Sequence, residues 1–147
     1  MKIIAQNRKA YFNYAIEEEI GAGIMLLGTE IKAIREGKVN INDSYAAEID
    51  GELFLVNSVV GPYNRGVIYF AHDEKRQRKL LLHKKELQKL LGKMRVKGYS
   101  LVPTKIFFND RNIVKIMLGL AKGKKLYDKR ESIKKRDEQR RSDRGEE

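Results

Sequence analysis

The chain has 147 residues, and its 31 lysines and arginines against 20 acidic residues give a net charge of +11 and a pI near 9.8. This balance favours a polyanionic partner, with nucleic acid ahead of an acidic membrane surface. The sequence contains no cysteine, which excludes a disulfide scaffold, a cysteine-ligated zinc site and a thiol nucleophile, and no apolar run is long enough to span a membrane.

The N-terminal quarter predicts two strands followed by a helix. Residues 11–18 are rich in strand-forming side chains, and the short apolar run 23–27 follows them. Together they predict two strands joined by a tight turn. Thr29 is typical of a helix N-cap, and Gly37 of the position where such a helix ends.

The middle of the chain predicts a β-hairpin, a loop and a second helix. Residues 44–49 and 52–59 flank Asp50-Gly51, which is the strongest short sequence signal for a hairpin. Residues 61–78 mix polarities around Pro62 and Gly66, and we predict mostly loop. Residues 83–98 form a helix in this interpretation, because Leu87, Leu90, Leu91 and Met94 fall on one apolar stripe.

A second hairpin is predicted from residues 100–108 and 113–120, with Pro103 restricting the first of these strands to an edge or a bulge. The total is about six short strands and two helices. Paired strands of this kind indicate a mainly β fold, an OB-like, six-stranded antiparallel barrel with two to three helices. We assign residues 1–120 to this barrel.

Residues 121–147 differ from the barrel and are assigned to a basic C-terminal tail. After Ala121 the only sizeable apolar residues are Leu126, Tyr127 and Ile133. Such a segment cannot bury enough surface to offset its ordering entropy, so we expect it to be disordered in the free protein. Helix-forming residues at 131–143 favour folding on a partner.

A second basic segment lies within the predicted barrel. Residues 75–105 carry 11 basic residues and a single acidic one, Glu86. Arg76, Arg78, Lys79 and Lys84 therefore offer charge for phosphates, although a solvated face would have the same composition.

Signatures of catalysis are weak. Two histidines, His72 and His83, lack neighbouring ligands, and we predict no metal site and no cofactor. Adjacent acids at 17–19 could serve a nuclease metal, but an exposed turn is the more ordinary explanation. The glycine–lysine run at 119–125 is one residue too short for a phosphate loop. We therefore predict a binding protein rather than an enzyme.

Five ordered motifs resemble the small protein B family, the tmRNA-binding (SsrA-binding) proteins of bacterial trans-translation. The resemblance extends over residues 7–136. The matching stretches are Asn-Arg-Lys-Ala at 7–10, Gly-Thr-Glu-Ile-Lys at 28–32 with Asp-Ser-Tyr at 43–45, Arg-Lys-Leu-Leu-Leu-His at 78–83, Gly-Leu-Ala-Lys-Gly-Lys-Lys at 119–125, and Tyr-Asp-Lys-Arg at 127–130 followed by Ile-Lys-Lys-Arg at 133–136.

The resemblance implies an adaptor that binds the tRNA-like domain of tmRNA and carries it to stalled ribosomes. It implies that the tail probes the decoding centre and the empty message channel of the ribosome. We expect a cytoplasmic monomer, also because residues 1–9 lack the apolar stretch of a signal peptide. A general single-strand RNA-binding or ribosome-associated barrel is the alternative, and a nuclease using Glu17, Glu18 or Glu30 is a second one.

The resemblance and the basic segments together give two sets of candidate residues. The chain departs from the family at Gly21, where many members have an acidic residue; Glu19 is a possible substitute. Leu81 can be a contact or a core residue. The predicted RNA-binding residues are Asn7, Arg8, Lys9, Tyr14, Arg78, Lys79, Leu81, His83, Lys84 and Lys115. The predicted ribosome-engaging residues are Lys122, Lys124, Lys125, Tyr127, Asp128, Lys129, Arg130, Lys134, Lys135 and Arg136.

Overall fold

Strands dominate the computed structural model, which describes residues 1–62, 72–96, 98–123 and 136. Nine strands and three helices lie in these ranges. The strands are β1 (Lys2–Gln6), β2 (Tyr14–Ile24), β3 (Val39–Asn40), β4 (Tyr45–Ile49), β5 (Glu52–Val56), β6 (Val59–Val60), β7 (Arg78–Leu81), β8 (Tyr99–Phe108) and β9 (Val114–Gly123). The helices are α1 (Arg8–Asn13), α2 (Gly28–Arg35) and α3 (Lys84–Met94).

Six antiparallel strands close into a ring in the order β8-β4-β5-β7-β2-β9, and β9 pairs with β8 again. The strand β1 extends this sheet by pairing with the second half of β8. A small separate sheet joins β3 to β6. The predicted six-stranded barrel is therefore confirmed.

The core fills the inside of the ring. Alternate residues of the central strands point inward, and α2 and α3 add apolar side chains to the same cluster. Buried residues from these elements, each at most 1% exposed, include Ala33, Ile34, Leu53, Leu55, Leu90, Leu101, Ile106, Ile116 and Leu118.

The predicted strand at residues 11–18 is wrong in its first part, because residues 8–13 form α1. The side chain of Asn7 accepts a hydrogen bond from the Ala10 amide (3.1 Å) and caps this helix, while Ala10 is buried. Capping and burial thus override the strand preference of the aromatic residues.

The predicted turn between residues 18 and 23 is also wrong, since β2 runs unbroken through Gly21 and Gly23. Neither glycine has a positive φ. Three strands do not follow from the sequence patterns at all: β1 at the N-terminus, the short β3, and β7, which begins within the predicted loop.

Both predicted helices are confirmed, with corrected ends. Helix α2 is capped at Leu27 rather than Thr29, because the Glu30 carboxylate accepts the Leu27 amide (2.7 Å). Helix α3 ends at Met94, and Gly98 lies beyond it with a φ of +90°. The apolar stripe of α3 packs on the core as predicted.

Both predicted hairpins are confirmed as well. Asp50 and Gly51 join β4 to β5 with φ values of 52° and 78°, as a tight hairpin turn requires. The strand β5 ends at Val56, short of the predicted residue 59. A bulge between Pro103 and Lys105 interrupts the β8–β9 pairing, which accommodates the proline. The strand β9 continues past residue 120 to Gly123.

Candidate RNA-binding groove

A groove opens on the outside of the barrel where β2, β7 and β9 lie side by side. Gly23 of β2 is paired with Leu81 of β7 on one side and with Lys115 of β9 on the other. The cavity measures about 430 Å³, a size typical of small-ligand pockets. Its lining consists of Gly21, Ala22, Gly23, Leu81, Leu82, His83, Glu86, Phe107 and Lys115. We call this set the groove.

Gly23 keeps the floor of the groove open. A Cβ atom at this position would lie 3.2 Å from Cβ of Leu81 and 3.5 Å from Nζ of Lys115. Because glycine has no side chain, both neighbours can lean over β2. Leu81 is 47% exposed, which shows that it is a surface residue and not part of the core.

Basic side chains lie in the groove and directly beside it. His83 caps α3 without a side-chain hydrogen bond, and Lys84 and Lys85 begin the helix beside it. Cations at a helix N-terminus oppose the helix dipole and do not help the free protein. Lys115 is half-buried and makes no ion pair with any residue in the described ranges. Lys84, Lys85 and Lys115 are suited to binding an anion such as phosphate.

The sequence-predicted RNA-binding residues do not form one site. Leu81, His83 and Lys115 line the groove, and Lys84 follows directly. Tyr14 lies at the opposite end of β2, paired with Gly123. Gly23 lies nine positions after Tyr14 along β2, a distance of about 30 Å at roughly 3.3 Å per residue.

Tyr14 belongs to a second surface, which we call the tyrosine cavity. Tyr14, Tyr45 and Tyr99 line this cavity of about 430 Å³, together with Lys9. Tyr14 is half-buried against Val102 and its neighbours. The RNA contacts predicted near the N-terminus therefore lie on the same surface as Tyr14 and not in the groove.

Some of the cations around the tyrosine cavity already contact other protein groups. Lys9 pairs with Asp43 at 3.2 Å, and Lys122 lies 5.7 Å above the ring of Tyr99. Arg8 is exposed on α1. The hydroxyl of Tyr99 donates to Glu17 (3.0 Å), and this hydrogen bond raises the pKa of the tyrosine.

Asn7 is buried and its side chain is engaged within the protein. It is 2% exposed, and besides capping α1 its amide donates to the carbonyls of Ile41 (3.2 Å) and Pro103 (2.9 Å). These bonds fasten α1 to the barrel, and the predicted RNA contact of Asn7 stays a prediction.

Arg78 is likewise fully buried and bound to protein groups, so its predicted RNA contact stays a prediction. Its guanidinium lies 2.6 Å from Oε2 of Glu30 and also donates to Ser58 and to the carbonyl of Arg76. Arg76 contacts Oε1 of Glu30 at 2.6 Å. We call Glu30, Arg76 and Arg78 the buried ion cluster. It ties α2 to the start of β7.

The cluster keeps its carboxylate ionised. Burial by itself would raise the pKa of Glu30, but hydrogen bonds from Arg76 and the Leu27 amide and the charge of Arg78 hold it below its usual value. Burial lowers the pKa of Arg78, opposed by Glu30, and an arginine stays charged there. Next to it, Lys79 faces outward and pairs with Glu52 at 3.0 Å.

The acidic residues at 17–19 all have protein partners. Glu18 pairs with Lys93 (2.5 Å) and Lys89 (3.4 Å), and the hydrogen bond from Lys93 lowers its pKa. Glu19 accepts from the Tyr11 hydroxyl at 2.6 Å. No cluster that could hold a metal ion is found within the described ranges. Glu30 is enclosed in the buried ion cluster.

Most of the tail falls outside the described residues. Of its predicted ribosome-engaging residues, Lys122 lies in β9, and the guanidinium of Arg136 lies 5.1 Å from the ring centre of Phe12. The predictions for Lys124, Lys125, Tyr127, Asp128, Lys129, Arg130, Lys134 and Lys135 concern residues that are not described. None of the helices in the described ranges has the length and apolar character of a membrane span.

Sequence reasoning did not predict the other lining residues of the groove, among them Gly23, Glu86 and Phe107. The sequence pattern places Gly23 at the end of a turn and Phe107 in an ordinary hairpin strand. Glu86 carried a usable signal, because it is the single acid in the basic segment 75–105.

Comparison with known proteins decides the family. The model of the SmpB protein family matches residues 4–146. The chain belongs to the SmpB protein family. This confirms the resemblance seen in the sequence motifs.

Individual relatives agree over nearly the whole chain. An SsrA-binding protein of Rickettsia canadensis is 55% identical over 139 residues, covering 95% of this chain and 91% of that protein. One from Orientia tsutsugamushi strain Ikeda is 57% identical over 136 residues, covering 92% and 88%. A solved structure described as "tmRNA-SmpB: a journey to the center of the bacterial ribosome" shares 49% identity and a TM-score of 0.70, covering 88% of this chain and 93% of that one.

Proposed function

We propose that this SmpB family member is an RNA-binding adaptor of trans-translation. It binds the tRNA-like domain of tmRNA and delivers it to stalled ribosomes for rescue and peptide tagging. Its relatives are named for SsrA binding, and the similar solved structure concerns tmRNA and SmpB in the bacterial ribosome. The partners are thus tmRNA and the ribosome, and the place of action is the cytoplasm.

The observation that carries the proposal is the groove. The closed barrel brings Leu81, His83 and Lys115 from three separate elements into one surface. Lys115, which has no ion-pair partner in the described ranges, and the exposed side chain of Leu81 suit an RNA with accessible bases, since a phosphate can bind the lysine and a base can pack on the leucine.

The protein acts in this proposal by binding alone. The acids considered for a nuclease each have a protein partner, and the fold supplies a rigid surface. The monomeric chain would use the groove for the tRNA-like domain and the residues after Gly123 for the decoding centre and the empty message channel.

Binding to the isolated tRNA-like domain tests the first half of the proposal. Affinity would be measured for this RNA, an ordinary tRNA and a single-stranded RNA across a salt series. Nonspecific binding through about six phosphates falls roughly a thousandfold between 50 and 200 mM salt. A preference for the tRNA-like domain that persists at the higher salt is expected. Equal and salt-sensitive binding to all three would instead indicate a general RNA-binding barrel.

The tail is tested separately, on the full chain. Changing Asp128, Lys129 and Arg130 together to Ala should leave the affinity for the tRNA-like domain unchanged and abolish tagging of a stalled reporter. A cationic segment that folds in an RNA channel would bind it more weakly after this change, because the variant has less charge and fewer polar groups to offer. Loss of domain binding as well would contradict the separation of barrel and tail roles.

A further inference from the structure

One acidic side chain, Glu86, lies in the groove with the cation Lys115. Glu86 occupies the first turn of α3, is half-buried and lines the groove together with Leu81 and Lys115. It forms no ion pair or hydrogen bond with any residue in the described ranges. A carboxylate that RNA phosphates would repel therefore lies open to the same RNA.

The role of Glu86 in α3 does not explain this arrangement. An acid in the first turn is favoured by the helix dipole, and at this position it usually reaches back to the amide of the N-cap residue. Glu86 makes no such bond to His83. Its side chain instead remains directed to the groove.

Other nearby carboxylates are already engaged. Glu19, the substitute considered for the acid missing at Gly21, accepts a hydrogen bond from Tyr11. Glu30 is fully buried in its ion cluster. Among the described lining residues, Glu86 supplies the one carboxylate of the groove.

The chemistry of an ionised carboxylate restricts what it can recognise. It only accepts hydrogen bonds, so on RNA its partners are base N–H groups and 2′-hydroxyls. Leu81 offers exposed apolar surface next to it, on which a base ring can pack. Lys115 can hold the phosphate of the same nucleotide.

We propose that Glu86 selects the RNA by accepting a hydrogen bond from the exocyclic amino group of an unpaired base that packs on Leu81. The inference rests on the proposed function and names a specificity determinant for it. The carboxylate then lowers the affinity for RNA in general, because it repels phosphates, and it raises the preference for an RNA that offers the donor.

The test is the substitution Glu86→Gln in the full chain, which keeps size and helix propensity. Affinity is measured for the tRNA-like domain and for a plain RNA duplex of equal length, whose base edges are paired. We expect the dissociation constant for the domain to rise about tenfold or more, and that for the duplex to stay the same or fall. Glu48→Gln, an equal change in charge on exposed β4 away from the groove, should weaken binding to neither RNA.

Base analogues identify the donor. Removing the exocyclic amino group from the recognised base should weaken binding to the wild-type chain but not to the Glu86→Gln variant. If a 2′-deoxy substitution shows this coupling instead, the base contact is refuted. Tighter binding of Glu86→Gln to both RNAs, or equal weakening of both, would also overturn the inference. Equal binding of the wild-type chain to domain and duplex would overturn the proposed function itself.

Discussion

The buried ion cluster and the groove lie on opposite faces of the same strand, β7, and they differ in whether their charged side chains have partners within the protein. Arg78 points inward and all its charge is matched by protein acceptors, above all Glu30. Three residues later Leu81 points outward, into a groove where Lys115 and Glu86 lack partners among the described residues. Matched charges hold the fold, whereas unmatched charges are available to a ligand.

The largest expected effect comes from breaking the buried cluster. Arg78→Met leaves the Glu30 carboxylate buried beside Arg76 alone, and losing one partner of a buried pair costs about 3–5 kcal/mol in free energy of unfolding. Urea denaturation measures this loss. The neighbouring Lys79→Met removes a surface pair with Glu52 and should cost at most about 1 kcal/mol.

The Arg78 variant also distinguishes a structural arginine from an RNA ligand. If it kept its stability and bound RNA more weakly, Arg78 would be an RNA ligand after all, and the contrast between the two faces of β7 would fail.

Acid weakens the same cluster by a smaller amount. The folded-state pKa of Glu30 lies below its usual value, so the ionised carboxylate stabilises the fold above the unfolded-state pKa of about 4.3. This contribution disappears as the pH falls through the folded-state pKa. We expect the urea concentration at the unfolding midpoint to decrease as the pH falls through this range, and the Glu30 carboxyl signal in NMR to titrate below the usual range of a glutamate. Titration above its usual range would contradict the cluster.

Two glycines on the β2–β9 pair extend the comparison from charge to packing. A Cβ atom at Gly119 would lie 3.0 Å from side-chain carbons of Ile16 and Thr104, whereas at Gly21 it would meet nothing within 4 Å. Gly119→Ala should cost about 1–3 kcal/mol by overpacking. Gly21→Ala should be neutral or stabilising by up to about 1 kcal/mol. Thermal denaturation of both variants measures the two changes in stability. Equal changes would refute the difference in packing between the two glycines.

The elements predicted correctly from sequence are those whose local signals agree with their burial. Asp50-Gly51 needs positive φ at a hairpin turn, and the α3 stripe has the helical period of its buried face. The prediction of a strand where α1 lies was wrong, because the capping hydrogen bond of the helix and the burial of Ala10 outweigh the strand preference of the aromatic residues. The strand β7 was not predicted, because Arg78 occupies one of its inward-facing positions. An arginine there hides the alternation of apolar and polar residues that indicates a strand.

The groove was predictable only in part, for a related reason. Leu81 and Lys115 were named because the family resemblance pointed to them, and composition alone could not separate them from Arg78. The sequence does not reveal that Gly23 lies between them, because that depends on the pairing of β2 with both β7 and β9. Likewise, Tyr14 is distant from Leu81 only because β2 runs unbroken between their two surfaces.

The smallest expected effect concerns one cation of the groove. Lys115→Met keeps the apolar stem and removes a charge without an ion-pair partner in the described structure, so the free energy of unfolding should change by less than about 1 kcal/mol. If Lys115 binds a phosphate, its removal makes the plot of log affinity against log salt shallower by about one unit. Lys2→Met, an equal change in charge on exposed β1, should leave that slope nearly unchanged. If both variants changed the slope equally, the groove would hold no phosphate of its own, and affinity would arise from the net charge of the whole protein.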